Sequence, residues 1–301
     1  MTADLAAERA QRPRVAGASI AAGILLLLGA LDGQFVVASG APSVGLIQAT
    51  EPALRGAAAT GASPRAAGEA FINHHSIGFV LAALISGAGL ALMAVLLRHL
   101  FIATRARREG LPAIGLVVGI WGPIAAGVFG LAFQIALQIQ AHQFVHQADH
   151  SQHAVDQIAN STPLILASAL EFASHFAIGF AFVIISLNAM RAGLLTRFMG
   201  VLGIISGAIF VFTQLSPLPV VQAFWLVALG VLLSGRGPSP LPAAWDAGVA
   251  IPWPSQQELR EARQGAGAPA PAAAGEASGA TPAPIARVDS NASKKRKRKR
   301  R

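Results

Sequence analysis

The chain has 301 residues, of which 53% are hydrophobic and only 12% charged, against about 25% charged in a soluble domain. Cysteine is absent, which excludes disulfides, thiolate nucleophiles and cysteine metal ligands. The formal charge of +9 misleads if spread over the whole molecule, because the last eight residues, Lys294, Lys295, Arg296, Lys297, Arg298, Lys299, Arg300 and Arg301, are all basic.

A bilayer core about 30 Å thick is crossed by roughly 20 apolar helical residues. Six segments meet or approach that length, at 15–38, 77–97, 111–139, 163–187, 199–215 and 220–233. The fold class expected is therefore all-α, a polytopic transmembrane helix bundle. The last two segments are short and read as a helical hairpin turning at Ser216–Pro219, where two prolines remove amide donors. The first has a second reading. Its basic start (Arg9, Arg12, Arg14), apolar run and "VASGA" resemble a secretory signal with a cleavage site, and cleavage would leave five spans. The run continues past Asp32 to Ala38, long for a signal core, which favours six.

Basic residues set the orientation. With residues 1–14 in the cytoplasm, only Arg55 and Arg65 of the 23 Lys and Arg fall outside. Both termini are thus expected inside, in a plasma membrane. Tyrosine is absent, so interfacial anchoring falls to Trp121, Trp225, Trp245 and Trp253. Pairs of small residues four apart, Gly29/Gly33, Gly115/Gly119 and Gly203/Gly207, let helices approach closely. They predict packing within one bundle, with a homo-oligomer seam as the weaker alternative.

Residues 234–264 form a membrane-proximal cytoplasmic segment with two tryptophans in a proline-rich context. From Gly265 to Pro284, 17 of 20 residues are Gly, Ala or Pro. Such a stretch buries too little to offset its ordering entropy, so 265–301 is expected to be a disordered tether. Its basic end suits anionic lipid, each Lys or Arg near the leaflet contributing about 1 kcal/mol. Specific nucleic-acid binding is not expected of a tail on a six-span protein.

Two sets of titratable residues stand out. His142, His146, His150 and His153 follow the third span, and on one continuous helix they would share a face. With His74 and His75 they form a rim on the outer side. That rim reads either as a polar loop or as a site for a divalent metal. Glu171 and His175 instead lie within the fourth span, roughly 12 and 18 Å below the outer surface by helix rise. Metal ligands must sit within about 2.2 Å of the ion, so rim and buried pair are separate layers. An ionisable group at that depth is costly unless paired or hydrated, which makes it a functional candidate. Glu171 and His175 are one turn apart and are expected either to pair with each other or to serve a polar pocket with Asp32, Gln134 and Gln138. His175 could also ligate a haem.

The stretches "RAGLLTRFMGVLGIISG", "PLPVVQAFWLVALGVLLSGR" and "AWDAGVAIPWPS" resemble uncharacterised multi-pass membrane proteins common in actinobacteria, most clearly over 191–255. The resemblance implies six spans and a bacterial plasma membrane, in keeping with an Arg-, Ala- and Gly-rich, high-GC composition, and it carries no catalytic residues. No hydrolase triad, phosphate loop or metalloprotease motif is present, so the reading leans away from an enzyme. It favours small-solute or proton transport or sensing through the buried pocket. The alternatives are a metal- or haem-binding redox protein, and a structural membrane protein using its tail.

Overall fold

Apolar residues on every side of long helical segments leave the backbone no partner but itself, and a helix satisfies it internally. In the computed structural model the described residues are 5–42, 63, 65–212, 218–237, 240–253 and 260. Every element among them is a helix. The order is α1 (Leu5–Ala38), α2 (Ala66–His74), α3 (Ser76–Arg107), α4 (Ile114–His146), α5 (Gln152–Ala159), α6 (Thr162–Arg191), α7 (Arg197–Val211), α8 (Val220–Leu233) and α9 (Ala244–Ala247). Met1–Trp253 form one unit and Pro254–Arg301 another. The Gly/Ala/Pro tether and Lys294–Arg301 lie outside the described residues, as do Ser216 and Pro217 of the expected turn and Arg55.

Four helices, α1, α3, α4 and α6, are long and apolar enough to cross a membrane. Large apolar side chains project from them, with Ile77 83%, Phe35 75% and Trp121 63% exposed, as expected of surfaces that meet lipid. The helices overrun the apolar runs, and α3 continues ten residues past Leu97 to Arg107. A run ends at its first charge, whereas a helix ends where its backbone bonding stops. Arg105 and Arg107 in the last turn of α3 also favour the helix by meeting the negative end of its dipole.

Around the bundle the packing order is α8, α1, α3, α4, α6, α7. Glycine sets the spacing. A Cβ on Gly179 of α6 would lie 2.6 Å from the Gly207 carbonyl oxygen of α7, and one on Gly23 of α1 would lie 2.7 Å from the Ala223 carbonyl oxygen of α8. Gly29 faces Ser86 of α3, Gly115 faces Phe101 of α3 and Gly119 faces Ile185 of α6. The small-residue pairs thus pack within the bundle.

These contacts also fix depth. Beyond Gly207, α7 has only four residues, while α6 extends seventeen residues from Gly179 back to Thr162. At 1.5 Å per residue α7 stops roughly 20 Å short of the end of α6. By the same reckoning from Gly23 and Ala223, α8 begins roughly 18 Å short of the end of α1. The two short helices therefore fill the bundle only in the half nearer the chain's N-terminal end.

At that end, a buried ionic cluster locks the frame. Arg107 of α3 has no exposed side-chain surface, and Glu8 of α1 is 10% exposed. They bond through two parallel N–H donations of 2.9 Å each. Arg12 donates to the Trp245 carbonyl at 2.6 Å and to Asp246 at 3.2 Å. Arg107 Nε donates to the Ala244 carbonyl at 2.8 Å. Both guanidinium groups lie over the Trp245 ring, at 5.2 and 5.5 Å, and His99 stacks on it at 5.9 Å. Trp245 is therefore a fully buried keystone rather than a lipid anchor, and Trp225 is equally buried, donating to the Met199 carbonyl at 2.9 Å. Of the four tryptophans, Trp121 and Trp253 keep exposed surface.

Removing one member of such a cluster orphans a charge, at a cost of about 3–5 kcal/mol. Arg107→Met should lower stability by that amount in thermal unfolding of the detergent-purified protein. Arg9 makes exposed contacts with Asp246, 3.7 Å to the carboxylate and a 3.4 Å donation to the backbone carbonyl, and Arg9→Met should cost less than about 1 kcal/mol.

Candidate functional site

Because α7 and α8 stop short of the histidine-bearing end, a space is left among α1, α3, α4 and α6. It is a cavity of about 650 Å³, within the roughly 300–1,000 Å³ typical of small-ligand pockets. Its floor is formed by the ends of the short helices, with Ile209 and Phe210 of α7 and Pro219 and Gln222 at the start of α8. Gly87 of α3 and Gly127 of α4 meet backbone to backbone in its wall. Phe79, Phe133 and Phe172 add aromatic surface.

Glu171 and His175 both line this cavity, with Gln134, Ser86 and Ser168. The two do not pair through their side chains. The His175 ring donates from Nδ1 to the backbone carbonyl of Glu171 at 3.0 Å. A carbonyl only accepts, so the proton sits on Nδ1, and in the neutral ring Nε2 is left as an acceptor. Gly130 makes room for the carboxylate, since a Cβ there would stand 3.3 Å from Glu171 Oε1. Gln134 Nε2 and Gln222 Oε1 are buried with no protein partner among the described residues. Buried polar atoms are rarely left so, because an unmade bond costs about 1–3 kcal/mol.

Of the five residues expected to form the pocket, Gln134, Glu171 and His175 do. Asp32 and Gln138 do not line it, although Asp32 Oδ2 and both polar side-chain atoms of Gln138 are also buried and unpartnered. Gln222, Ser86 and Ser168 were not anticipated. A lone Gln in the apolar run "VVQAFW" was a readable signal for the first; isolated serines in a helix carry none.

The outer histidines do not share one face. Helix α4 carries His142 and His146 and stops there, and Gln147 turns extended with ψ 159°. Ser151 then starts α5 by accepting the Ala154 amide at 3.3 Å, so His150 lies in the connection and His153 on a new helix. His142 and His146 rings are 4.3 Å apart, and His74 and His75 rings 4.9 Å apart. His150 packs edge-on against Phe144 at 5.1 Å, and His153 Nε2 lies 3.1 Å from Gln157. His142 lies 3.3 Å from Asn73 Oδ1. Among the described residues no three His, Asp or Glu side chains gather where one cation could be held. The rim instead serves a second apolar core, in which Phe144, Val155, Ile158 and Leu164 pack together with Phe133 and Leu137 beside them.

No known protein family, curated protein or solved structure matches the chain. What fold and site define together is a class: a helical membrane protein with a polar cavity above two short apolar helices.

Two carboxyls at the histidine-bearing end titrate in opposite senses. Burial pushes Glu69 of α2 up from the ordinary carboxyl value, and its Oε2 lacks a partner. The stability it contributes is present below its ordinary pKa and lost as pH rises through the folded value. Asp149 is held below the usual range by the Ser151 amide, which donates to it at 2.9 Å. Its contribution is present above the ordinary value and lost as pH falls through the folded one. Glu69→Gln should therefore raise the melting temperature at pH 7 and leave it unchanged at pH 4. Asp149→Asn should lower it at pH 7, by an amount that shrinks as pH falls below the ordinary carboxyl value.

Proposed function

We propose that the chain is a bacterial plasma-membrane protein, its basic end cytoplasmic, that takes a small ammonium-bearing solute into the outer cavity for transport or sensing. The observation that carries this reading is the cavity's hydrogen-bonding inventory. Beside the carboxamides of Gln134 and Gln222 and the hydroxyl of Ser86, which both donate and accept, Glu171 and His175 Nε2 stand in the wall as acceptors. An occupant that satisfies them is rich in donors. A cation also gains from Glu171 and from the faces of the phenylalanines in the wall. The clustering of basic residues at the opposite end supports the orientation, and the resemblance over 191–255 supports a bacterial membrane.

The test is thermal unfolding of the purified protein with choline or methylammonium, against sodium chloride at equal ionic strength. Ligand at a hundred times its Kd stabilises the folded state by about 2.7 kcal/mol, which for a domain of this size is a rise of roughly 5–10 °C. Glu171→Gln should abolish the rise. If neither compound raises the melting temperature, or if Glu171→Gln responds as the wild type does, the assignment is wrong.

A further inference from the structure

At the basic end, the chain after α8 folds back along the loop between α6 and α7. Trp245 Nε1 donates to the Leu194 carbonyl at 2.8 Å and Trp253 Nε1 to the Leu195 carbonyl at 2.8 Å. The Ile251 amide donates to the Ala192 carbonyl at 3.1 Å. Gly193, at φ +76°, lets the Ile251 carbonyl press onto the loop where any Cβ would collide. These bonds hold Trp253 against the end of α6 and the start of α7.

A second cavity, of about 510 Å³, opens there. Arg108, Arg191 and Arg197 stand in its wall with Met190, Val201 and Trp253, and no carboxylate among the described residues lines it. The arginines come from three places: the C-cap of α3, the last turn of α6 and the first turn of α7. Neither Arg108 nor Arg191 has an ion-pair partner among the described residues. The contrast with Arg12 and Arg107, both ion-paired in the nearby cluster, is direct. The first turn of α7 adds amide donors and the positive end of a helix dipole, which favour an anion. Beside the cationic wall the surface is apolar and outward-facing: Phe198 is 66% exposed, Val201 48% and Trp253 42%. Guanidinium groups converging next to exposed apolar side chains at the end of membrane-crossing helices match a molecule that is anionic at one end and hydrocarbon at the other.

We propose that this cavity binds the phosphate of an anionic phospholipid from the leaflet at the basic end. Arg108 and Arg191 take the phosphate, while Trp253, Val201 and Phe198 meet the upper acyl chains. The site is distinct from the polybasic tail and independent of what enters the outer cavity.

Because Trp253 lies in the wall, its fluorescence gives a local reading that the tail does not dominate. The full chain, in phosphatidylcholine nanodiscs, is titrated with phosphatidylglycerol brominated on its acyl chains, and in parallel with brominated phosphatidylcholine. Brominated phosphatidylglycerol should quench at several-fold lower mole fraction, and Trp253→Phe should remove that difference. Each arginine near the leaflet is worth about fivefold in affinity. Arg191→Gln, an exposed change, should therefore shift the titration about fivefold, and Arg108→Gln with Arg191→Gln about 25-fold, both with unchanged melting temperature. A third arm adds 10 mM inorganic phosphate. Equal quenching by the two lipids, or an Arg191→Gln titration that overlays the wild type, overturns the proposal. So does a change in Trp253 emission with inorganic phosphate alone and no lipid preference, which would assign the cavity to a soluble phosphate compound.

Discussion

Two helices that are too short shape this molecule. A helix of 14 or 15 residues rises little more than 20 Å, against the roughly 30 Å of a bilayer core. Placed beside helices of 30–34 residues and anchored by glycine at one end, α7 and α8 cannot reach the other. The four long helices must then surround a space they do not fill. Apolar side chains could have collapsed into it. Instead its walls carry a carboxylate, an imidazole and two carboxamides, each held on a helix that packs elsewhere along its length.

The opposite end is built on the reverse principle. Where the short helices are present the core is dense, and charge is brought inside rather than excluded. Glu8, Arg12 and Arg107 come from the first and third helices and converge on Trp245, whose flanking carbonyls accept from both arginines. A buried ion pair is a poor source of stability by itself, since desolvation offsets most of the attraction. It does specify position, because the cluster is satisfied only when α1, α3 and the segment after α8 stand in one arrangement. That arrangement also lays Ile251 and Trp253 over the α6–α7 loop and so creates the arginine-lined cavity. One end is locked, and the other carries an open polar chamber.

Much of this was legible in the residues. The long apolar runs gave helices in the expected places, and Glu171, His175 and Gln134 stood out as polar groups within them. Other readings missed for identifiable reasons. The row of histidines was projected along one helix, but the Ser151 cap starts a new one, and the helix breaks between His146 and His150. Trp245 was read as an interfacial anchor from its proline-rich setting. Its burial depends on Arg12 and Arg107, more than a hundred residues away in the chain. Asp32 was grouped with Glu171 by depth, and depth says nothing about which way a helix is rotated.

The sequence by itself determined that the chain forms apolar helices able to cross a membrane, which end of the bundle is basic and which residues are costly to bury. These are local properties, set by the apolarity and length of single segments. Only the tertiary structure decided which polar groups share a cavity, which tryptophans are interior and which arginines enter the buried ionic cluster. Those outcomes depend on helix rotation and on the level at which neighbouring helices end. Both are set by close contacts such as Gly179 on Gly207 and Gly23 on Ala223, between residues far apart in the chain.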